Sequence, residues 1–186
     1  MLDEHIVELY FERNENAIRE TDIKYGKYCR AIANNILQDD GESEECLNDT
    51  YYKAWHSIPP ARPSKLPAYL GKITRRLALN RYEKMSAQKR GGGNTAAVLD
   101  ELAECVPDRT SSGDITQELI ITQTLNRFLE ALSDQNRKIF VRRYWYMSSI
   151  KEIADEYRIG ESKVKMILHR SREKLKMLLE EEGIII

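Results

Sequence analysis

Long apolar runs are missing from this sequence of 186 residues. No stretch approaches the roughly 18 consecutive apolar residues of a transmembrane helix. The N-terminus also lacks the basic and then apolar pattern of a secretory signal peptide. We therefore expect a protein that does not insert into a membrane and that works in the cytoplasm.

Cysteine and histidine are also scarce, with three residues of each type. Cys29, Cys46 and Cys105 lie far apart, so they form neither a disulfide framework nor a zinc-binding spacing. The histidines are equally scattered, and no serine or cysteine lies in a nucleophile motif. We therefore expect no metal, no cofactor and no enzymatic activity, and we expect the cysteines to be small buried residues.

The net charge of −1 conceals an alternation of charge along the chain. Residues 62–90 carry 9 basic and 1 acidic side chains, and residues 137–176 carry 12 basic and 5 acidic ones. Acidic segments precede, separate and follow these two blocks. Because phosphate binding depends on the local density of cations, two basic blocks fit a two-point contact with DNA. Two solvated helix faces would fit the same pattern.

The apolar residues follow the spacing of helices, and no segment alternates long enough to indicate a strand. The pattern predicts an all-α protein of two small helical domains joined by a flexible linker. The first domain covers residues 1–90, with helices beginning after Asp22, at the cap Ser43 and at Leu66. The linker covers residues 91–113, which contain a glycine run and several helix breakers, with a short helical turn considered at residues 96–105. The second domain covers residues 114–186.

The end of the second domain has the pattern of a helix-turn-helix. Ser149 and Glu152 form a capping box at the start of a short helix. A turn at residues 158–160 leads to a longer basic helix, which is expected to bury its face from Val164 to Leu178. Side chains at the start of such a recognition helix can reach base edges and phosphates in the major groove. The candidates for DNA contact are Ser162, Lys163, Lys165, Met166, His169 and Arg170. An ordinary helical hairpin with solvated lysines would show the same periodicity.

Three segments resemble extracytoplasmic-function (ECF) sigma factors of the sigma-70 family. SIKEIADEYRIGESKVKMILHRSREKL, residues 149–175, resembles the domain that binds the −35 promoter element. ESEECLNDTYYKAWHSIP, residues 42–59, resembles the helix that binds core RNA polymerase. LPAYLGKITRRLALNRYEK, residues 66–84, resembles the helix that grips and opens the −10 element. The segments follow one another in the family's order.

The resemblance implies a transcription initiation factor with core RNA polymerase and promoter DNA as partners, and an anti-sigma factor as an inhibitor. It implies region 2 in residues 1–90 and region 4 in residues 114–186. The residues implied for the polymerase contact are Glu45, Asn48, Asp49 and Tyr52. Those implied for the −10 element are Lys65, Tyr69, Lys72, Arg75, Arg76 and Asn80. Arg158 departs from the glycine usual in the family at the first turn position, where a positive φ costs a non-glycine residue about 1 kcal/mol.

Two other functions remain open at the level of the sequence. A stand-alone helix-turn-helix regulator would bind DNA tightly without polymerase, although the second basic helix at residues 66–84 has no evident use in it. A polymerase-binding adaptor would bind polymerase without opening a promoter. The promoter sequence, the inducing signal, the anti-sigma partner and the role of the C-terminal residues Ile184–Ile186 are not given by the sequence.

Overall fold

The computed structural model of the chain describes residues 1–86, 94–106 and 115–184. Within these ranges the secondary structure consists of nine α-helices, which confirms the predicted all-α class. The chain divides into two compact units, Met1–Gly91 and Gly92–Ile186. Among the described helices, none is long and apolar enough to cross a membrane.

The first unit is a bundle of four helices. They are α1 (Asp3–Phe11), α2 (Asn16–Leu37), α3 (Asp40–Ser57) and α4 (Leu66–Ser86). Helices α2, α3 and α4 pack against one another, and α1 packs on α2. The core includes Ile6, Tyr10, Cys29, Leu47 and Leu70, which are fully or almost fully buried. Burial of this apolar surface is the main favourable contribution to the stability of the bundle.

Two helix starts differ from the prediction. Helix α2 begins at Asn16, ahead of the expected start near Asp22. Helix α3 is capped by Asp39, whose carboxylate accepts a hydrogen bond of 2.9 Å from the backbone N–H of Glu42. Ser43, the predicted cap, lies within the first turn, where its hydroxyl donates to the Asp39 carbonyl. Asp and Ser are both good caps, so residue type alone did not decide between them.

The helical spacing of apolar residues predicts that Leu66, Leu70, Ile73 and Leu77 form the buried face of α4, and the structure agrees only in part. Leu66 and Leu70 are buried as expected, but the face continues through Thr74 and Ala78, while Ile73 and Leu77 are half-buried. These smaller residues allow α2 and α3 to approach α4 closely. The free-energy cost of burying the Thr74 hydroxyl is small because the hydroxyl is hydrogen-bonded. It donates to the Leu70 carbonyl at 2.9 Å and accepts from the Thr50 hydroxyl at 3.2 Å.

The second unit contains the remaining five helices. They are α5 (Asn94–Ala103), α6 (Ile115–Ala131), α7 (Asp134–Tyr144), α8 (Ile150–Tyr157) and α9 (Glu161–Glu181). Helix α9 packs against α6, α7 and α8, and the Ser133 hydroxyl caps α7. Phe128 and Phe140 meet edge to face at 5.0 Å between ring centroids. The buried face of α9 ends on Leu179, because a step of four residues from Leu175 reaches Leu179 rather than the predicted Leu178.

Part of the expected linker is helical and belongs to the second unit. Helix α5 extends the short helical turn considered at residues 96–105, and it packs against α7. Thr95, Val98 and Cys105 are buried there. The glycine run at residues 91–93 and residues 107–113 lie outside the described residues.

The three cysteines are buried and free, as predicted. Burial raises the pKa of Cys46 and of Cys105 to about 11, from an ordinary value of 9.0. Between pH 9 and pH 11, these two thiols should therefore stay protonated in the folded protein while the same thiols are ionised in the unfolded chain. Stability from these groups is complete below pH 9 and falls as the pH rises through 11.

We expect a thiol reagent at pH 8 to leave all three cysteines unmodified in the folded protein and to label all three in urea. The measurement is mass spectrometry after a timed pulse of iodoacetamide. Labelling of Cys46 or Cys105 in native buffer at the rate of a free thiol would contradict the buried positions.

Candidate functional site

Local structure defines both ends of the first helix of the helix-turn-helix, α8. The Ser149 hydroxyl accepts from the Glu152 N–H at 3.2 Å, and the Glu152 carboxylate accepts from the Ser149 N–H at 2.6 Å. Both halves of the predicted capping box are therefore present. Arg158 adopts the left-handed conformation with φ of 52° and ψ of 46°. The turn keeps a left-handed residue at this position although the residue is not glycine.

The first half of α9 presents its polar side chains to solvent. Val164 and Leu168 are buried on one side and fix the rotation of the helix about its axis. The six predicted DNA-contact residues, namely Ser162, Lys163, Lys165, Met166, His169 and Arg170, are all exposed. The helix therefore offers three cations and three neutral side chains on its open surface, which is a suitable arrangement for phosphate and base-edge contacts.

A cluster of charged groups that the sequence reasoning missed lies below this helix. Arg143 on α7 is only 3% exposed and forms a two-point ion pair with Glu101 on α5, at 2.6 and 3.2 Å. Tyr144 donates to the same carboxylate at 2.9 Å, and Arg172 on α9 donates to the Tyr144 hydroxyl at 2.7 Å. Burial by itself raises the pKa of Glu101, but the hydrogen bonds from Arg143 and Tyr144 lower it below its ordinary value.

In the first unit, one face of α4 carries the residues predicted for the −10 element. Lys72, Arg76 and Asn80 are exposed and lie four residues apart, so they share one side of the helix. Lys65 is exposed just before the helix begins. Arg75 is half-buried, and burial lowers the pKa of its guanidinium to about 10. The structure thus brings together Lys72, Arg76 and Asn80 and leaves Arg75 less accessible.

The loop between α3 and α4 is held by side chains from α1 and the turn after it. The guanidinium of Arg13 donates to the Trp55 carbonyl at the end of α3 at 2.5 Å. Arg62 within the loop pairs with Glu8 at 2.6 Å and lies over the Phe11 ring, 4.2 Å from its centroid. Neither Arg13 nor Arg62 was among the predicted site residues.

Tyr69, another residue implied for the −10 element, is half-buried in the first unit. Its hydroxyl donates to the Ser57 side chain at 2.8 Å, and its ring packs against the core. This contact joins the start of α4 to the end of α3 and supports the base of the loop between them.

The residues predicted to meet polymerase divide into two pairs. Tyr52 is 61% exposed and stacks on His56 with ring centroids 4.1 Å apart, and Asn48 is exposed beside it. Glu45 and Asp49 instead accept hydrogen bonds from Arg81, at 2.9 and 2.8 Å.

Arg81 thereby connects α4 to α3, and Glu42 is its third partner at 2.8 Å. The hydrogen bonds to Asp49 and Glu45 raise the pKa of this guanidinium. Asp49 and Asn80, predicted for different partners, line one groove of about 390 Å³ between the two helices. In the described part of the chain, no three metal-ligating side chains form a cluster that could hold an ion.

Two helical units, the second with a helix-turn-helix whose basic helix is exposed, have the architecture of a DNA-binding protein. The chain matches the family model "Sigma-70 region 2" over residues 24–88 and "Sigma-70, region 4" over residues 128–177. Together these matches cover more than half of the chain. The chain therefore belongs to the sigma-70 family. Region 2 precedes region 4, which is the order implied by the resemblance of the sequence to ECF sigma factors.

Among the solved structures, thirteen chains match. One is the structure of CnrH in complex with the cytosolic domain of CnrY, which is 19% identical with a TM-score of 0.44. The alignment covers 96% of this chain and 97% of that chain. The curated proteins include no match.

Proposed function

We propose that this protein binds core RNA polymerase and directs it to promoters whose −10 and −35 elements it recognises. The observation that carries the proposal is the exposed basic face of α9, beside a complete helix-turn-helix turn, in a chain that matches both sigma-70 regions. Lys163, Lys165 and Arg170 would neutralise phosphates beside the −35 element, and Ser162, Met166 and His169 would face base edges.

The −10 element would be opened by α4 and the loop before it. Promoter opening requires that a base which has left the DNA stack binds to a rigid surface of the protein. The ion pair of Arg62 with Glu8 and the hydrogen bond of Tyr69 to Ser57 support such a surface. Lys72 and Arg76 would follow the backbone of the separated strand, and Asn80 could both donate to and accept from a base edge.

The polymerase contact would be made by the exposed pair on α3, Tyr52 and Asn48. A large exposed aromatic residue is a typical centre of a protein interface. Because Glu45 and Asp49 are bonded to Arg81, they would act mainly by placing α3 and α4 relative to each other. A protein of this kind acts in the cytoplasm, where polymerase is, and the family resemblance implies that an anti-sigma factor restrains it.

The first test is the affinity of the full-length protein for bacterial core RNA polymerase. We expect Tyr52→Ala to weaken binding about tenfold or more, the loss typical of an aromatic interface centre. Lys53→Ala, at an exposed position on the same turn of the helix, is the matched control and should bind like the wild type. Asp49→Ala is a poor probe because it also removes a partner of Arg81.

The same holoenzyme is then tested for transcription from a library of random promoters. Enrichment of sequences with two elements would support the proposal. Failure to bind polymerase, together with tight binding of the chain alone to a DNA site, would identify a stand-alone regulator instead. Binding to polymerase without transcription from any promoter would identify an adaptor.

A further inference from the structure

The loop between α3 and α4, residues 58–65, is contacted by a segment that lies outside the matched region 2. That segment consists of α1 and the turn after it, whereas the match begins only at residue 24. Helix α1 is anchored in the first unit, because its residues Ile6 and Tyr10 are completely buried. A loop that is bonded to an anchored element opens less readily than a loop with few contacts.

Arg13, in the turn after α1, holds the end of the loop that follows α3. Its guanidinium donates to the Trp55 carbonyl at 2.5 Å and to the Ile58 carbonyl at 3.5 Å, and it lies over the Trp55 ring. Carbonyls in the last turn of a helix have no partner within the helix, and a cation there also meets the negative end of the helix dipole. Because both acceptors are backbone atoms, Arg13 constrains the course of the chain itself where the loop begins.

The middle of the loop is held by α1. Arg62 donates to the two carboxylate oxygens of Glu8, at 2.6 and 3.3 Å, and its guanidinium lies over the Phe11 ring. Both charged side chains are about half exposed, so this ion pair by itself contributes little to the position of the loop. The two contacts act on different parts of the same loop, and the contact of Arg13 is the one that reaches its backbone.

We propose that Arg13 is a positioning residue for promoter opening, because it keeps the loop before α4 in the conformation that receives an unstacked base. The inference rests on the proposed function, in which this loop and α4 open the −10 element. A pocket that is already formed does not have to be ordered when its ligand binds, and this lowers the free-energy cost of capture. In this role Arg13 acts through the carbonyls of Trp55 and Ile58 and does not touch the base.

Two other roles of Arg13 predict different measurements. An exposed arginine that contacts a phosphate of the promoter strengthens DNA binding, so its loss weakens the complex before any opening occurs. A residue that stabilises the whole bundle affects polymerase binding as well. A positioning residue of the loop changes the rate of opening and leaves both affinities as they are.

The experiment measures promoter opening by the holoenzyme on a promoter obtained from the random library, with 2-aminopurine at one position of its −10 element. The fluorescence of this base rises when the base leaves the stack, so stopped-flow mixing gives the rate of opening at each holoenzyme concentration. The maximal rate reports opening, and the concentration that gives half of this rate reports binding to the promoter. Affinity for core polymerase is measured separately.

We expect Arg13→Met, which keeps an apolar side chain over the Trp55 ring but has no donor, to lower the maximal rate about fivefold. The reason is that the loop is then in its capturing conformation for only about a fifth of the time. The half-maximal concentration and the affinity for polymerase should not change. Arg13→Lys keeps a cationic donor and should recover most of the rate. Arg19→Ala removes one positive charge from an exposed position on α2 and is the control, with wild-type values expected throughout.

An unchanged maximal rate for Arg13→Met would overturn the proposal. A higher half-maximal concentration at an unchanged rate would also overturn it in favour of a DNA contact, and a lower affinity for polymerase in favour of a general role in stability. If hydrogen exchange shows that the bundle of Arg13→Met is unfolded, Arg13→Gln takes its place. This variant keeps a neutral donor and should slow opening about twofold under the same criteria. A wild-type holoenzyme that opens no promoter would contradict the proposed function itself.

Discussion

Replacement of Arg143 by alanine should cost the second unit about 3–5 kcal/mol of its free energy of unfolding. The guanidinium is 3% exposed and satisfies Glu101, Asn94 and the Ser148 carbonyl at the same time. Without it, the half-buried Glu101 carboxylate keeps only Tyr144 and Arg172 as donors, and the Ser148 carbonyl loses this donor. Each loss adds a desolvation cost. Hydrogen exchange measured by mass spectrometry across a urea series gives the free energy for each unit within the full chain.

The matched control is the neighbouring residue. Arg142 is paired with Glu156 at the surface, so Arg142→Ala should cost no more than about 1 kcal/mol. Peptides from α1 to α4 should exchange as in the wild type in both variants. A loss for Arg143→Ala as small as that for Arg142→Ala would mean that the buried network contributes little to the unit.

The double variant Lys163→Ala with Arg170→Ala should reduce transcription from a promoter that needs its −35 element about 100-fold. Each lost charge-assisted contact to a phosphate costs about 1.5 kcal/mol, which is about tenfold in affinity. Both side chains are exposed, so the fold of α9 should not change. Run-off transcription with purified holoenzyme, repeated at several salt concentrations, measures the effect.

A pair of cations from the end of the same helix serves as the control. Lys174→Ala with Lys176→Ala removes the same charge from a part of α9 beyond the proposed contact. It should reduce transcription only slightly. A similar loss in both double variants would indicate that the total charge of the helix matters, and not its first three turns as a recognition surface.

Local signals in the sequence were sufficient for the helix-turn-helix. The capping box of Ser149 and Glu152 depends on residues three positions apart. The spacing of four residues between Val164 and Leu168 specifies which side of α9 is buried. Exposure of the predicted contact residues followed from that rotation alone. Arg158 adopts the left-handed conformation of the turn, which the hydrogen bond from the Ile159 N–H to the Ala154 carbonyl closes. The sequence left open only the free-energy cost of this conformation for a residue that is not glycine.

Ion pairs between residues that are far apart in the sequence could not be predicted from local patterns. Arg81 and Arg143 are two arginines among many in basic blocks, and nothing in their neighbours distinguishes them from solvated residues. Their carboxylate partners lie 32 to 42 residues away in the sequence. The choice between Asp39 and Ser43 as a cap, and between Thr74 and Ile73 as a buried residue, also depends on packing across the bundle. Periodicity gives the face of a helix, but neighbouring helices decide its edges.

Arg81, which joins α4 to α3, limits which segments can be exchanged between family members to change promoter specificity. A chimera that takes α4 from a relative while keeping this α3 would leave Glu42, Glu45 and Asp49 facing one another without a cation if the donor helix has no equivalent of Arg81. The opposite exchange would place an arginine against a surface with no acids. The smallest segment that can be transplanted between family members is therefore the pair of helices with their loop, residues 40–86. The proposed polymerase contact and the proposed −10 contact would then be transferred together.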